Sequence, residues 1–374
     1  MKPAIAAFFL SRGIVFAVLV IASQITFLQK IYSGSVWETR IDLESERVRP
    51  LLVQQMLIGD VWWYRAIAED GYRDSDQWPA AGKAAFFPLY PMLARLFRVT
   101  GEFALNGAIL SNLCFLGGLI ALMFLANGCA YRPDDVERTL FYLAFFPTSY
   151  FFSMPLTESL FLFVSILAFV GVSSERWWLA GAGGALAALT RINGILLFPV
   201  LLLLAWQRAR RLRIQLLWLS LIPLATVSVG IYHYVASGNA LAFLGAQRSW
   251  GRQPGAFWQP LIGYLSDPGV ISETWNLLIF NFAVAILLFV CAAALIRRGS
   301  WAFGLYALLS VLFALSSGSL QSLGRYALVV FPLFLWLGIL GRSAWIDRAI
   351  TAITVSLFGC FLILFVLRVD FVLA

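Results

Sequence analysis

The stretch FALNGAILSNLCFLGGLIALMFLA, residues 103–126, contains no Asp, Glu, Lys or Arg and is long enough to cross a bilayer as one helix. Comparable apolar runs lie at 6–28, 179–206, 216–236, 275–296, 302–315, 327–340 and 349–367. A shorter piece at 84–97 is interrupted by Pro88 and Pro91, and the run 140–172 carries Pro147 and Pro155. That last run is too long for a single helix, so it is read as two short or broken ones. Of 374 residues 61% are hydrophobic and only 12% charged, against about 25% charged in ordinary soluble domains. Mean hydropathy is +0.84. The sequence therefore predicts an all-α integral membrane protein, one transmembrane domain over residues 1–374, with about ten or eleven transmembrane helices. Nothing of this length leaves room for a separate α/β nucleotide-binding domain, and the composition excludes a soluble nucleic-acid binder or a disordered scaffold.

The net charge of +8 is interpreted through its location. The segment 207–215 holds Arg208, Arg210, Arg211 and Arg213 with no acid, which marks it as cytoplasmic. Alternation of the spans then places Arg95 and Arg98, Arg297 and Arg298, Arg342 and Arg348, and the N-terminus with Lys2 on the same side. The two longest polar segments, 29–83 and 238–274, fall together on the non-cytoplasmic face. The excess cations orient the chain, and membrane lipids rather than nucleic acid are its expected surroundings. Lys2 and Arg12 precede an apolar run like that of a signal peptide, but no small-x-small cleavage site follows, so an uncleaved first span is expected. Cys114, Cys129, Cys291 and Cys360 sit singly in apolar stretches and read as small buried hydrophobes. The single histidine, His233, excludes a site built on several His ligands and sits beside Tyr232 and Tyr234 in an interfacial, structural setting. The run GAGGALAA, residues 181–188, offers small residues four apart for close helix packing.

Chemistry concentrates in a few places. GDVWWYRAIAEDGY, residues 59–72, predicts a short interfacial helix stopped at Gly71, with Trp62, Trp63, Ala66 and Ile67 toward lipid or the bundle. Asp60 at its start is either a helix N-cap or a general base at the membrane surface. AFFPLYP, residues 85–91, forces a kinked approach to the bilayer. FFPTSYFFSMPLTESLF, residues 145–161, embeds Glu158 in an apolar setting, and TRING, residues 190–194, embeds Arg191. Intramembrane charges face a cavity or a partner, so the two read either as a structural pair or as the lining of a site for an anionic head group. QRSWGRQ, residues 247–253, interleaves cations with an aromatic, suiting sugar stacking on Trp250 or an interfacial anchor. GRY, residues 324–326, gives Arg325 as a second phosphate ligand or a snorkelling anchor. The D-x-D of Asp74 and Asp76 is read as coincidence, because a diphosphate–metal clamp of that kind needs a supporting α/β domain.

Together these segments resemble the PIG-V type of mannosyltransferase, which adds the second mannose to the glycosylphosphatidylinositol precursor, and its bacterial relatives. The resembling pieces are the I-A-x-x-G-Y ending at Tyr72, F-F-P-L-Y-P at 86–91, E-S-L-F from Glu158, and R-x-N-G at 191–194. Gly59 stands where the family has Trp before the acid. The resemblance implies a GT-C helical bundle and an inverting transfer of a hexose, mannose first among candidates, from a polyprenyl-phosphate donor to a lipid- or glycan-linked acceptor. It implies Asp60 as catalytic base, with no cofactor and no metal. Donor-phosphate candidates are Arg191, Arg325 and Arg248. Substrate-binding candidates are Trp63, Tyr64, Arg65, Glu158, Asn193, Gln247, Trp250 and Tyr326. With no N-x-S/T acceptor in the sequence, a bacterial plasma membrane is favoured over the endoplasmic reticulum. A lipid-linked saccharide flippase is the competing expectation, and would need polar residues along a path to both faces; a purely structural membrane protein would not need Glu158 and Arg191 embedded.

Overall fold

The computed structural model describes residues 1–24, 51–74, 78–129, 131–209, 214–250, 252–271 and 277–368. The described residues are helical wherever they are regular, and the protein is membrane-embedded. Five helices are long and apolar enough to cross a bilayer: Lys2–Ser23, Phe103–Gly128, Ile214–Ala236, Leu278–Arg297 and Ala344–Val366. Four shorter apolar helices accompany them, at Glu158–Ser173, Ile192–Arg208, Trp301–Leu315 and Phe331–Leu340. The expected ten or eleven transmembrane helices include Pro-broken and short pieces, and among the described residues several apolar runs are likewise interrupted. Backbone groups in hydrocarbon must be satisfied internally, so such breaks persist only where protein surrounds them or a cavity adjoins them.

The breaks follow the sequence. Pro147 and Pro155 divide the 140–172 run into a helix at Pro133–Ala144, a 3₁₀ turn at Ser149–Ser153 and the helix Glu158–Ser173. The expected span over 179–206 is split at Arg191, which is extended between the helix Trp177–Thr190 and a 3₁₀ turn at Ile192–Leu196. The 84–97 piece shrinks to the helix Leu89–Leu96, and a short turn at Leu323–Ala327 precedes Phe331–Leu340.

Glycine determines how closely the bundle packs. A Cβ on Gly181 would lie 2.1 Å from the Trp218 carbonyl oxygen, one on Gly184 2.4 Å from the Ile222 side chain, and one on Gly183 2.9 Å from the Ala168 nitrogen. The Trp177–Thr190 helix is thus pressed against neighbours on two sides, as its small-residue run suggests. Gly181→Ala is expected to destabilise the bundle by about 1–3 kcal/mol through overpacking. Thermal unfolding in detergent measures this, with Gly128→Ala as control, since nothing lies within 4 Å of a Cβ there.

At a distance from these breaks, Asp135 fastens the Pro133–Ala144 helix to the end of Phe331–Leu340. Its carboxylate accepts from Arg342 at 2.6 Å and from Arg138 at 2.9 Å, and Arg138 also donates to the Gly338 carbonyl at 3.1 Å. Burial works against the Asp135 charge, but the two guanidinium groups outweigh it and hold the carboxyl below its usual range.

Candidate functional site

Asp60 is the first residue of the helix Asp60–Asp70. The N-cap is Gly59, whose φ of 42° lies in the left-handed region that glycine tolerates, and no side chain caps the helix. The N-cap reading of Asp60 is therefore corrected: its carboxylate turns toward Arg325, whose Nη1 donates to Oδ2 at 2.7 Å. An acid in the first helical turn is also favoured by the helix dipole. One turn on, the Tyr64 hydroxyl donates to Thr157 Oγ1 at 3.4 Å, and its ring packs against Phe86 and Tyr90. Trp63 stacks on Phe86 at 5.8 Å and meets Trp78 edge-on. It also covers Gly82, where a Cβ would come within 2.4 Å of the indole. Arg65 pairs with Glu69 at 2.9 Å and lies over Trp62. Gly71, with φ 67°, ends the helix as expected, its N–H donating to the Ile67 carbonyl at 2.9 Å.

Glu158 starts the helix Glu158–Ser173 and is fully buried. Its Oε1 accepts from Arg325 Nε at 2.5 Å and from Arg191 Nη1 at 3.2 Å, while Oε2 has no partner. The expected Glu158–Arg191 pair exists, but Arg325 holds Glu158 more closely. Arg191 gains its direction from the helix break. The glycine of R-x-N-G is required there, because a Cβ on Gly194 would lie 2.4 Å from the Ala188 nitrogen and 2.5 Å from the Ala187 carbonyl carbon. Arg325 sits in a turn that starts from Ser322 at φ 63°. The turn is anchored by Thr148 Oγ1, which donates to the Gly324 carbonyl at 2.8 Å, and by the Gly324 N–H, which donates to Asn281 at 2.8 Å. The Arg325 guanidinium lies 5.0 Å from the Phe151 ring centroid. Asp60, Arg325, Glu158 and Arg191 thus form a chain of alternating charge drawn from four separate parts of the sequence.

The second polar loop contributes a different cation from the one expected. Arg248 is exposed and does not line the cavity, whereas Arg252 does. Its Nη1 donates to Gln247 at 3.1 Å and to the Tyr326 hydroxyl at 3.2 Å, and its Nε is buried without a partner. Arg191 and Arg252 both approach the Tyr326 ring, at 5.4 and 6.0 Å from its centroid. Burial pushes the Tyr326 phenol up, but Arg252 and Arg191 outweigh it and leave it below its ordinary value. The sequence points to Arg248 and passes over Arg252, since the two flank the same tryptophan and no local pattern separates them. The Trp250 side chain lies outside the described residues, as do Ser75 and Asp76 of the D-x-D. Asp74 itself accepts from the Ala80 N–H at 2.7 Å. His233 packs among Tyr72, Tyr232 and Phe243.

These elements enclose a cavity of about 100 Å³ whose polar lining is Asp60, Tyr64, Thr190, Arg191, Asn193, Gln247, Arg252, Ser322, Arg325 and Tyr326. Phe86, Phe87 and Phe313 supply its apolar side. Trp63, Arg65 and Arg248 stand apart from that lining, and Glu158 lies behind it, touching Arg191 and Arg325. Glu158, expected to contact substrate, thus reaches the cavity through the two arginines it holds rather than as part of the lining. Three guanidinium groups and two carboxylates leave one positive charge in excess. Such a lining can neutralise an anion, bind hydroxyls through Asn193 and Gln247, and receive a proton at Asp60. Among the described residues no group of three or more His, Cys, Asp or Glu is arranged to hold a metal ion. Comparison with protein-family models, with curated proteins and with solved structures finds no match for this chain.

Proposed function

We propose that this chain is an integral-membrane glycosyltransferase of the GT-C type, related to the PIG-V mannosyltransferases. In this reading it moves a hexose, mannose first among candidates, from a polyprenyl-phosphate donor to a lipid- or glycan-linked acceptor. The observation that carries the reading is one acid, Asp60, facing a cavity with three arginines from separate elements. In the proposed step an acceptor hydroxyl oxygen attacks the anomeric carbon from the face opposite the phosphate. The carbon–oxygen bond to phosphate breaks with inversion, and Asp60 takes the hydroxyl proton. Its Oδ2 is held by Arg325, which leaves Oδ1 to act as the base. The lipid phosphate departs with one more negative charge, which Arg325, Arg191 and Arg252 offset. A monophosphate leaving group matched by guanidinium donors requires no divalent clamp.

In this reading the site opens to the non-cytoplasmic face and the N-terminus is cytoplasmic. Asn281, which anchors the Arg325 turn, and Arg297, on an expected cytoplasmic connection, lie near opposite ends of Leu278–Arg297. At 1.5 Å per residue they are about 24 Å apart, most of a bilayer core.

The test reconstitutes the purified protein in liposomes with polyprenyl-phosphate-mannose and a panel of lipid and glycan acceptors. A new glycosidic product that depends on the protein supports the reading. Passage of the intact lipid-linked sugar across the bilayer with no such product would overturn it in favour of a flippase. In the same assay Arg252→Ala is expected to raise the donor KM about tenfold, by loss of a charged hydrogen-bond donor. Arg248→Ala is expected to stay within about twofold of wild type, as an exposed charge outside the lining.

A further inference from the structure

Arg12 lies midway along the helix Lys2–Ser23 and is 2% exposed. A cation at that depth is costly and is normally matched by an acid or placed in a polar cavity. Among the described residues no acid meets Arg12, and its hydrogen bonds go to neutral groups. Its Nη2 donates to the Ala144 carbonyl at 2.9 Å and to Ser149 Oγ at 3.2 Å. Its Nη1 donates to the Ser149 carbonyl at 2.7 Å and to Ser153 Oγ at 3.3 Å, and its Nε donates to Ser11 Oγ at 3.1 Å. The guanidinium also faces the Phe115 ring at 4.8 Å. Ala144 ends the helix Pro133–Ala144, so the cation sits where that helix leaves carbonyls unpaired and its dipole is negative.

The segment gripped in this way is the one on which the arginine centre rests. Thr148, next to Ser149, donates to the Gly324 carbonyl in the Arg325 turn. Phe151, inside the gripped 3₁₀ turn, lies against the Arg325 guanidinium. A few residues later the same strand of chain delivers Thr157 to Tyr64 and Glu158 to Arg325.

We propose that Arg12 is a positioning residue for the candidate site: by holding the 144–153 segment it fixes Thr148 and Phe151, and through them the direction of Arg325. The kinetic part of this inference rests on the transferase reading; the structural coupling does not.

Hydrogen exchange in detergent is the deciding measurement, comparing wild type with Arg12→Met, Arg12→Lys and Thr148→Val. In Arg12→Met, amides of 145–157 and also of 323–327 are expected to exchange about tenfold faster, with the remaining helices unchanged. Arg12→Lys is expected to fall between, since an ammonium cannot fork across the same carbonyls. Thr148→Val cuts only the link to Gly324 and is expected to loosen 323–327 alone, which keeps the coupling testable should Arg12→Met fail to fold. Unchanged exchange at 323–327 in Arg12→Lys and Thr148→Val would overturn the proposal, leaving Arg12 as a local helix cap.

Given transfer activity in the wild type, folded Arg12→Met is expected to lose about tenfold in kcat with donor KM within about twofold, because Arg325 serves the base and the departing charge more than ground-state binding. Phe151→Leu is expected to show the same pattern, and the double variant to be little worse than either single one. Fully additive losses would overturn the proposed route through Phe151. A wild type that makes no glycosidic product counts against the transferase reading, while the exchange pattern still decides the role of Arg12.

Discussion

Asp60→Asn is expected to remove sugar transfer while leaving the bundle folded. The amide oxygen of Asn can still accept the bond that Arg325 Nη1 makes to Asp60 Oδ2, so the contact between the Asp60–Asp70 helix and the Arg325 turn is kept in shape. What disappears is a group able to take the acceptor proton. Loss of a general base costs typically about 10²–10⁴ in rate. The side chain of Asp60 is 28% exposed, so the lost charge is partly compensated by water and the stability change is small. The measurement is the rate of glycosidic product formation from polyprenyl-phosphate-mannose, with thermal unfolding alongside. Wild-type turnover in the Asn variant would remove Asp60 from the chemistry.

Arg325→Met carries the largest expected cost in stability. It leaves Glu158, with no exposed surface, dependent on Arg191 alone at 3.2 Å, and its second oxygen already lacks a partner. Breaking a buried pair by removing one member typically destabilises by about 3–5 kcal/mol, because the remaining charge is stranded. Replacing Glu158 by Gln in the same chain removes the stranded charge, so the double variant Glu158→Gln with Arg325→Met is expected to recover a large part of the loss. Unfolding in detergent compares the four proteins. Equal stability of Arg325→Met and wild type would mean that the Arg325–Glu158 contact is not the buried pair described.

How much of this could be read from the sequence depends on how rare each residue type is in its setting. Apolar runs fix a helical membrane protein without further help. Glu158 and Arg191 stand out because charge is expensive in hydrocarbon, and Asp60 stands out through its place at the start of an aromatic-rich helix. Arg12 meets the same test as Glu158 and Arg191, yet its position near the N-terminus invites a signal-like reading that hides it. The helix break at Arg191 is signalled only by Gly194, and its need for glycine depends on where Ala187 and Ala188 lie in space. The choice of Arg252 over Arg248 is settled by the position of Tyr326, far along the chain. Likewise the pairing of Arg325 with both Glu158 and Asp60 spans 167 and 265 residues, beyond any local pattern.

Those separations also bear on how the protein enters the membrane. Glu158 and Arg191 are only 33 residues apart, on the neighbouring stretches that form Glu158–Ser173 and Trp177–Thr190. A neutral pair enters hydrocarbon at lower cost than either charge alone, so these two adjacent helices carry the compensation for Glu158 within one hairpin of the chain. Arg325 lies 167 residues beyond Glu158, outside that hairpin. Arg325 therefore adds to the Glu158–Arg191 pair without displacing it, and a protein truncated before Arg325 is expected to insert its buried acid still compensated.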